Sequence, residues 1–300
     1  MRPYLLFVSG IAGASGLAMS RDANTDNWRL LAAFVPFFFG YGFGQALTDC
    51  FQTDTDKISA PYRPLSKGIV SVRSVLIVSI TGLLGCAAIL FALNIMSFAL
   101  SCLAVFGLAT YSYIKKNVWA AGPFYNAWIV SLLPVMGYFA LANSYLQNFR
   151  FLHFPFIAVS FFSYASFVLI GYLKDIDADR ETGYKTFPVV WGWQKSVLIG
   201  DLFALATICF FWLGTKHTIY DTVPGLAGST IIIFGQWKAH TAKNYSPQTA
   251  LLPILATVRS FILFHIAVVL CFQPQWWPYT IAYYLFFELF LFKRPSRFQV

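Results

Sequence analysis

The sequence is short of charge. Only 11% of its residues are Asp, Glu, Lys or Arg, against about 25% in a soluble domain. That deficit, with 58% hydrophobic residues and a mean hydropathy of +0.64, excludes an ordinary soluble protein and specifies a polytopic membrane protein. The net charge of +9 is not gathered into an Arg/Lys-rich tract and no RNA-binding motif is present, so nucleic acid is not an expected partner. The five cysteines (Cys50, Cys86, Cys102, Cys209, Cys271) lack C-x-x-C spacing and lie in or beside apolar runs, as packing residues do. The four histidines (His153, His217, His240, His265) show no ligand spacing, and no Ser/His/Asp or Cys/His nucleophile arrangement is visible.

What is present is a series of apolar runs, at about 4–20, 29–50, 74–93, 95–113, 118–143, 152–173, 196–214, 221–237, 250–272 and 277–292. Each is near the ~20 residues that cross a bilayer as a helix, and helices are expected because lipid offers no partner for unpaired backbone groups. Arg259 interrupts the ninth run and the tenth is short. Arg2 ahead of the first run gives Met1–Met19 the look of a signal peptide; it reads as a first membrane helix, because the rest of the chain must be inserted anyway.

Loop charge orients the spans. Lys57, Arg63, Lys67 and Arg73 lie between spans 2 and 3, Lys115 and Lys116 between 4 and 5, Lys174, Arg180, Lys185 and Lys195 between 6 and 7, and Lys238 and Lys243 between 8 and 9. The alternate loops hold only Arg150, Lys216 and Asp221 after span 3. The basic loops and the N-terminus are therefore expected in the cytoplasm. The basic tail Lys293, Arg294, Arg297 joins them if the spans number ten.

Against this background two polar stretches stand out. Residues 48–68, TDCFQTDTDKISAPYRPLSKG, follow span 2; residues 172–192, YLKDIDADRETGYKTFPVVWG, follow span 6. Each places carboxylates at a helix mouth, then cations, then a proline (Pro64, Pro188). Charge at such a place is seldom there without a function. The equivalence suggests one domain with internal four-helix repeats, about 1–116 and 117–237. Read as helix, Asp49, Gln52 and Asp56 share one face (i, i+3, i+7), and so do Asp175 and Asp179 (i, i+4). Mg²⁺ takes one or two carboxylates plus substrate phosphate and water. Two facing pairs would hold Mg²⁺ ions bridged by a diphosphate, with Arg63, Lys67, Lys115, Lys116, Lys174, Arg180 and Lys185 supplying further positive charge. Such a clamp stabilises a departing diphosphate. The allylic cation left behind calls for aromatic walls, for which Phe37, Phe38, Phe39, Phe161, Phe162 and Tyr164 are candidates.

At these residues the chain resembles the UbiA superfamily of intramembrane prenyltransferases. The family's first motif, N-D-x-x-D-x-x-x-D followed by R-P-L, is matched by residues 48–56 and by Arg63, Pro64, Leu65 and Gly68; the second, Y-x-K-D-x-x-x-D, by Tyr172, Lys174, Asp175 and Asp179. Gly183, Thr186 and Pro188 match a downstream G-x-x-T-x-P, Tyr111 and Lys115 a Tyr-x-x-x-Lys, and Arg2-Pro3 the usual opening. Thr48 and Gln52 depart from the usual Asn and Asp. The resemblance implies an all-α polytopic membrane protein: nine transmembrane helices around a central cavity, a cytoplasmic cap over the motifs, and here a tenth C-terminal helix. It implies Mg²⁺-dependent transfer of a prenyl group from an isoprenoid diphosphate to a small, aromatic acceptor, with release of pyrophosphate. Asp49, Gln52, Asp54, Asp56, Asp175 and Asp179 would hold metal. Arg63, Lys67, Tyr111, Lys115, Lys116, Tyr172, Lys174 and Arg180 would hold diphosphate. A membrane terpene cyclase, which needs no acceptor, and a secondary transporter, whose acids sit nearer the bilayer midplane, are the competing readings.

Overall fold

The structure is a computed structural model that describes residues 3–21, 26–142 and 153–294. Arg2, Arg150 and Arg297 of the motif and loop-charge arguments lie outside the described residues. The chain is helical throughout the described residues: α1 (Leu5–Ser20), α2 (Asn27–Cys50), α3 (Thr53–Ser59), α4 (Val72–Leu93), α5 (Ile95–Asn117), α6 (Ala121–Leu141), α7 (Phe154–Tyr172), α8 (Ile176–Glu181), α9 (Phe187–Gly214), α10 (Ile219–His240), α11 (Pro247–Phe272) and α12 (Trp277–Phe292). Each apolar run falls in one of the ten long helices. Seven of these are long and apolar enough to cross a membrane; α1, α10 and α12 fall short by length or composition. The nine spans implied by the resemblance are thus not matched one for one.

The bundle closes where small residues let helices meet. A Cβ at Gly16 of α1 would overlap the Pro134 carbonyl of α6, and one at Gly137 would overlap the Gly13 carbonyl. With no hydrophobic drive between helices in lipid, such backbone-to-backbone approach supplies the packing energy. Helix α11 is buried along most of its length, whereas α4 fully buries only Ser79 and Leu90 and is otherwise half-buried or exposed.

Helix α12 is seated by three devices. Phe7 meets Tyr283, Phe287 and Phe290. The Tyr283 hydroxyl donates to the Phe7 carbonyl at 2.7 Å, beside Gly10. Arg259 of α11 donates twice to Glu288, at 2.7 and 2.8 Å. The charge that interrupts the ninth run therefore has its partner in the tenth. Removing one member leaves the other charge without its partner between two apolar helices, which is unfavourable. Glu288→Gln is expected to lower the melting temperature of the detergent-solubilised protein accordingly. An unchanged melting curve would show the pair to be idle.

Two short helices set the site. At the end of α2 the Phe51 N–H bonds back three residues to Thr48, and at the end of α7 Leu173, Lys174 and Asp175 do the same to Ile170, Gly171 and Tyr172. These tightened turns stop each long helix. The chain restarts as α3 and α8, whose first bonds run from Asp56 N–H to the Gln52 carbonyl and from Asp179 N–H to the Asp175 carbonyl. The two short helices touch through Thr55 and Thr182, whose hydroxyls lie 3.2 Å apart.

Candidate active site

The break after α2 corrects the continuous helical face expected for the first motif. Asp49 lies in the last turn of α2, Gln52 caps α3, and Asp56 lies within it. The chain turns because the polar run 48–56 cannot extend a membrane helix. Arg63 then reaches back between the two carboxylates. It contacts Asp56 directly and Asp49 at 3.5 Å, and is itself buried. Gln45, one turn before Asp49 on α2, donates to Asp49 Oδ1 at 3.0 Å. Gln52 donates to Ser112 of α5 at 2.9 Å.

The second motif makes a matching arrangement. Asp179 is fully buried. It accepts from Lys115 Nζ at 3.0 Å and from the Thr186 hydroxyl at 3.2 Å. Burial pushes the Asp179 carboxyl above its ordinary range and the Asp175 charge adds to that, while the Lys115 ammonium pulls the other way. Lys115 also lies 4.8 Å above the Tyr172 ring and 4.7 Å above the Tyr184 ring, a cation held between two π faces. The Tyr111 and Tyr172 hydroxyls are 2.7 Å apart. Lys174 is buried too. Asp175 caps α8 yet makes no capping bond, and its Oδ1 is buried without a hydrogen-bond partner among the described residues.

The cations of both arrangements face one cavity of about 100 Å³, lined by Gln45, Gln52, Arg63, Tyr111, Lys115, Asn126, Lys174 and Asp175, with Tyr41 and Tyr164 among its less polar walls. The Tyr41 and Tyr164 hydroxyls touch across it. A cleft of about 320 Å³ between α2 and α4 is lined by Asp49, Asp56 and Arg63 together with Val70, Val75 and Val78. No three His, Cys, Asp or Glu side chains among the described residues converge as a ready-made metal centre. The carboxylates stand as two pairs divided by cations. That suits a cation that takes few protein ligands and completes its shell from phosphate and water. The orphaned Asp175 oxygen is a hard donor of the required kind.

Not every expected residue joins this chamber. Lys67 and Lys185 are exposed. Arg180 is exposed and paired with Asp177 at 3.0 Å. Asp54 and Lys116 pair with each other at 3.3 Å on the half-exposed rim. Desolvation opposes ionisation of Asp54, but the Thr55 N–H and Lys116 outweigh it and hold the carboxyl below its ordinary range. Among the aromatics, Tyr164 lines the chamber and Phe37 an adjoining apolar pocket. Phe39 points outward, and Phe162 stacks on Phe210 of α9. Sequence reasoning missed Gln45, Asn126 and Tyr184, and named Thr186 only as a motif match, without a role. Gln45 was within reach, one helical turn before Asp49; neutral Asn126 on α6 carries no charge signal.

The model of the UbiA prenyltransferase family matches residues 6–258. The chain belongs to the UbiA prenyltransferase family. It is an intramembrane enzyme that transfers prenyl groups. Its UbiA fold is shared with solved structures. An apo UbiA homologue from Aeropyrum pernix superposes with a TM-score of 0.74 at 19% identity, covering 87% of this chain and 96% of that one. A UbiA homologue from Archaeoglobus fulgidus, bound to DMAPP and Mg²⁺, gives 0.64 at 19% identity over 89% and 97%. Among curated relatives, the digeranylgeranylglyceryl phosphate synthase of Thermococcus sibiricus is 29% identical over 262 residues, which is 83% of this chain and 87% of the relative. That of Halobacterium salinarum is 28% identical over 226 residues, 75% and 73%.

Proposed function

We propose that this UbiA-family chain transfers a prenyl group from an isoprenoid diphosphate to a small acceptor at the chamber between α3 and α8. The observation that carries the reading is the pairing of two carboxylate sets with buried cations that line one cavity: Arg63, held by Asp49 and Asp56, and Lys115, held by Asp179. Asp49, Gln52, Asp56, Asp175 and Asp179 would hold Mg²⁺, which when bound supplies positive charge to the diphosphate oxygens. Arg63, Lys115 and Lys174 would hold the phosphates, with the Tyr111 and Tyr172 hydroxyls beside them. Asp54 and Lys116 would act at the rim. As the C1–O bond breaks, its electron pair leaves with pyrophosphate, and these donors meet the charge that develops there. Tyr41, Tyr164 and Phe167 line the same chamber and would face the allylic cation. The acceptor then bonds to C1 and loses a proton. Magnesium is supported by the relative bound to DMAPP and Mg²⁺. The α2–α4 cleft, lined by both charged and apolar side chains, suits a substrate with a charged head and an isoprenoid tail. Loop charge supports a cytoplasmic position for this face.

The test uses purified full-length protein, Mg²⁺ and labelled geranyl, farnesyl and geranylgeranyl diphosphates. The donors are incubated alone, with aromatic acceptors and with glyceryl ether phosphates, the last because the curated relatives are digeranylgeranylglyceryl phosphate synthases. Label transfer that requires an acceptor is expected. Conversion of donor to terpenes without acceptor would replace this reading by a cyclase, and no diphosphate release from any donor would end it.

A further inference from the structure

Asn126 lies in the second turn of α6, and nothing in the two acidic motifs accounts for it. It lines the chamber beside Tyr111, Lys115, Tyr172 and Asp175. Its neighbour in that lining, Tyr111, meets Tyr172 hydroxyl to hydroxyl at 2.7 Å. Asn126 Oδ1 is buried and has no hydrogen-bond partner among the described residues. A buried carbonyl oxygen left unpaired is unfavourable, so a ligand that supplies a donor gains there.

The chemistry of that donor is restricted. The diphosphate offers only acceptor oxygens, and the chamber meets it with Arg63, Lys115 and Lys174. A neutral amide oxygen cannot hold phosphate. It can hold an O–H. We infer that Asn126 Oδ1 accepts a hydrogen bond from a hydroxyl group of the prenyl acceptor and fixes that molecule beside C1 of the donor. The assignment rests on the prenyl-transfer reading and specifies it: the acceptor carries a hydroxyl, and Asn126 is the group that selects it. Because the amide does not take the proton, its role is recognition and alignment. Alignment at this distance from the reacting carbon strongly affects rate.

The experiment pairs a change in the enzyme with a change in the ligand. Full-length protein with Mg²⁺ and geranylgeranyl diphosphate is assayed with a phenolic acceptor and a glyceryl ether phosphate. The O-methyl counterpart of each is tested as a competitive inhibitor. In the wild type the free hydroxyl is expected to tighten binding by about tenfold over its methyl ether. In Asn126→Leu that preference disappears and the acceptor KM rises by about tenfold, while the donor KM stays within about twofold. Asn126→Ala is made in parallel, in case the leucine does not fit. A merely structural role would move donor and acceptor constants together.

Retention of the hydroxyl preference in both variants would overturn the inference. So would a loss confined to acceptor-independent pyrophosphate release, which would place Asn126 against the cation instead. Products that need no acceptor would overturn it while leaving diphosphate chemistry intact. Failure of the wild type to release pyrophosphate from any donor would remove the prenyl-transfer reading itself, and this assignment with it.

Discussion

Asp175→Asn is expected to reduce pyrophosphate release by roughly 10²- to 10³-fold, the range seen when one preorganised electrostatic group is lost from a reacting centre, while leaving the melting temperature unchanged. The two halves of that expectation have separate causes. Asp175 Oδ1 makes no hydrogen bond among the described residues, and the residue caps α8 without a capping bond from its side chain. Asparagine has the same shape, so no hydrogen bond of Oδ1 among the described residues is lost from α7, α8 and the chamber. What goes is a negative charge beside a cluster otherwise rich in cations, at the position best suited to a hard metal ion. Full activity in Asp175→Asn would remove Asp175 from the proposed site. A large fall in stability would mean that its carboxylate is structural. The pair of measurements, turnover and melting on one preparation, separates these outcomes.

The composition of the chain is enough to read the membrane class, and the two polar stretches locate the chamber. Both signals are strong for one physical reason: charge is so unfavourable in lipid that it collects only where it has a partner or a task. The same signal cannot distinguish one cation from another. Lys67 and Arg180 belong to the motif stretches as fully as Arg63 and Lys174, yet the first two are exposed and the second two buried. The difference is made by the turn at 51–52 and by Arg63 folding back onto α2, neither of which a helical face count contains. Arg259 illustrates a converse limit. Taken alone it weakens the ninth span; in the fold it meets Glu288, and the two irregular spans account for each other. Neutral polar residues are the hardest to read. Asn126 on α6 looks like any asparagine in an apolar run, and only its place beside Tyr111 gives its unpaired oxygen significance.

Lys115 and Asp179 contrast with Asp175, since here fold and chemistry share the same atoms. Lys115 Nζ lies 3.0 Å from Asp179 Oδ1, and both side chains are withdrawn from solvent. Asp179→Leu strands an ammonium between Tyr172 and Tyr184, and Lys115→Met strands a carboxylate left, among the described residues, with the Thr186 hydroxyl. Breaking one side of a buried pair destabilises by about 3–5 kcal/mol, so each single variant is expected to melt earlier and to lose activity. The Lys115→Met/Asp179→Leu double variant removes both charges. Replacing such a pair with apolar groups is often neutral or stabilising, so the melting temperature should return towards that of the wild type. Pyrophosphate release should not return, because the diphosphate then lacks a cation and the metal site a carboxylate. Recovery of stability without activity would show that the pair is kept for its chemistry. Recovery of both would exclude Lys115 and Asp179 from the site. If neither recovers, the pair is needed for the α5–α8 contact itself, and the proposed clamp would rest on Asp49, Asp56, Arg63, Lys174 and Asp175.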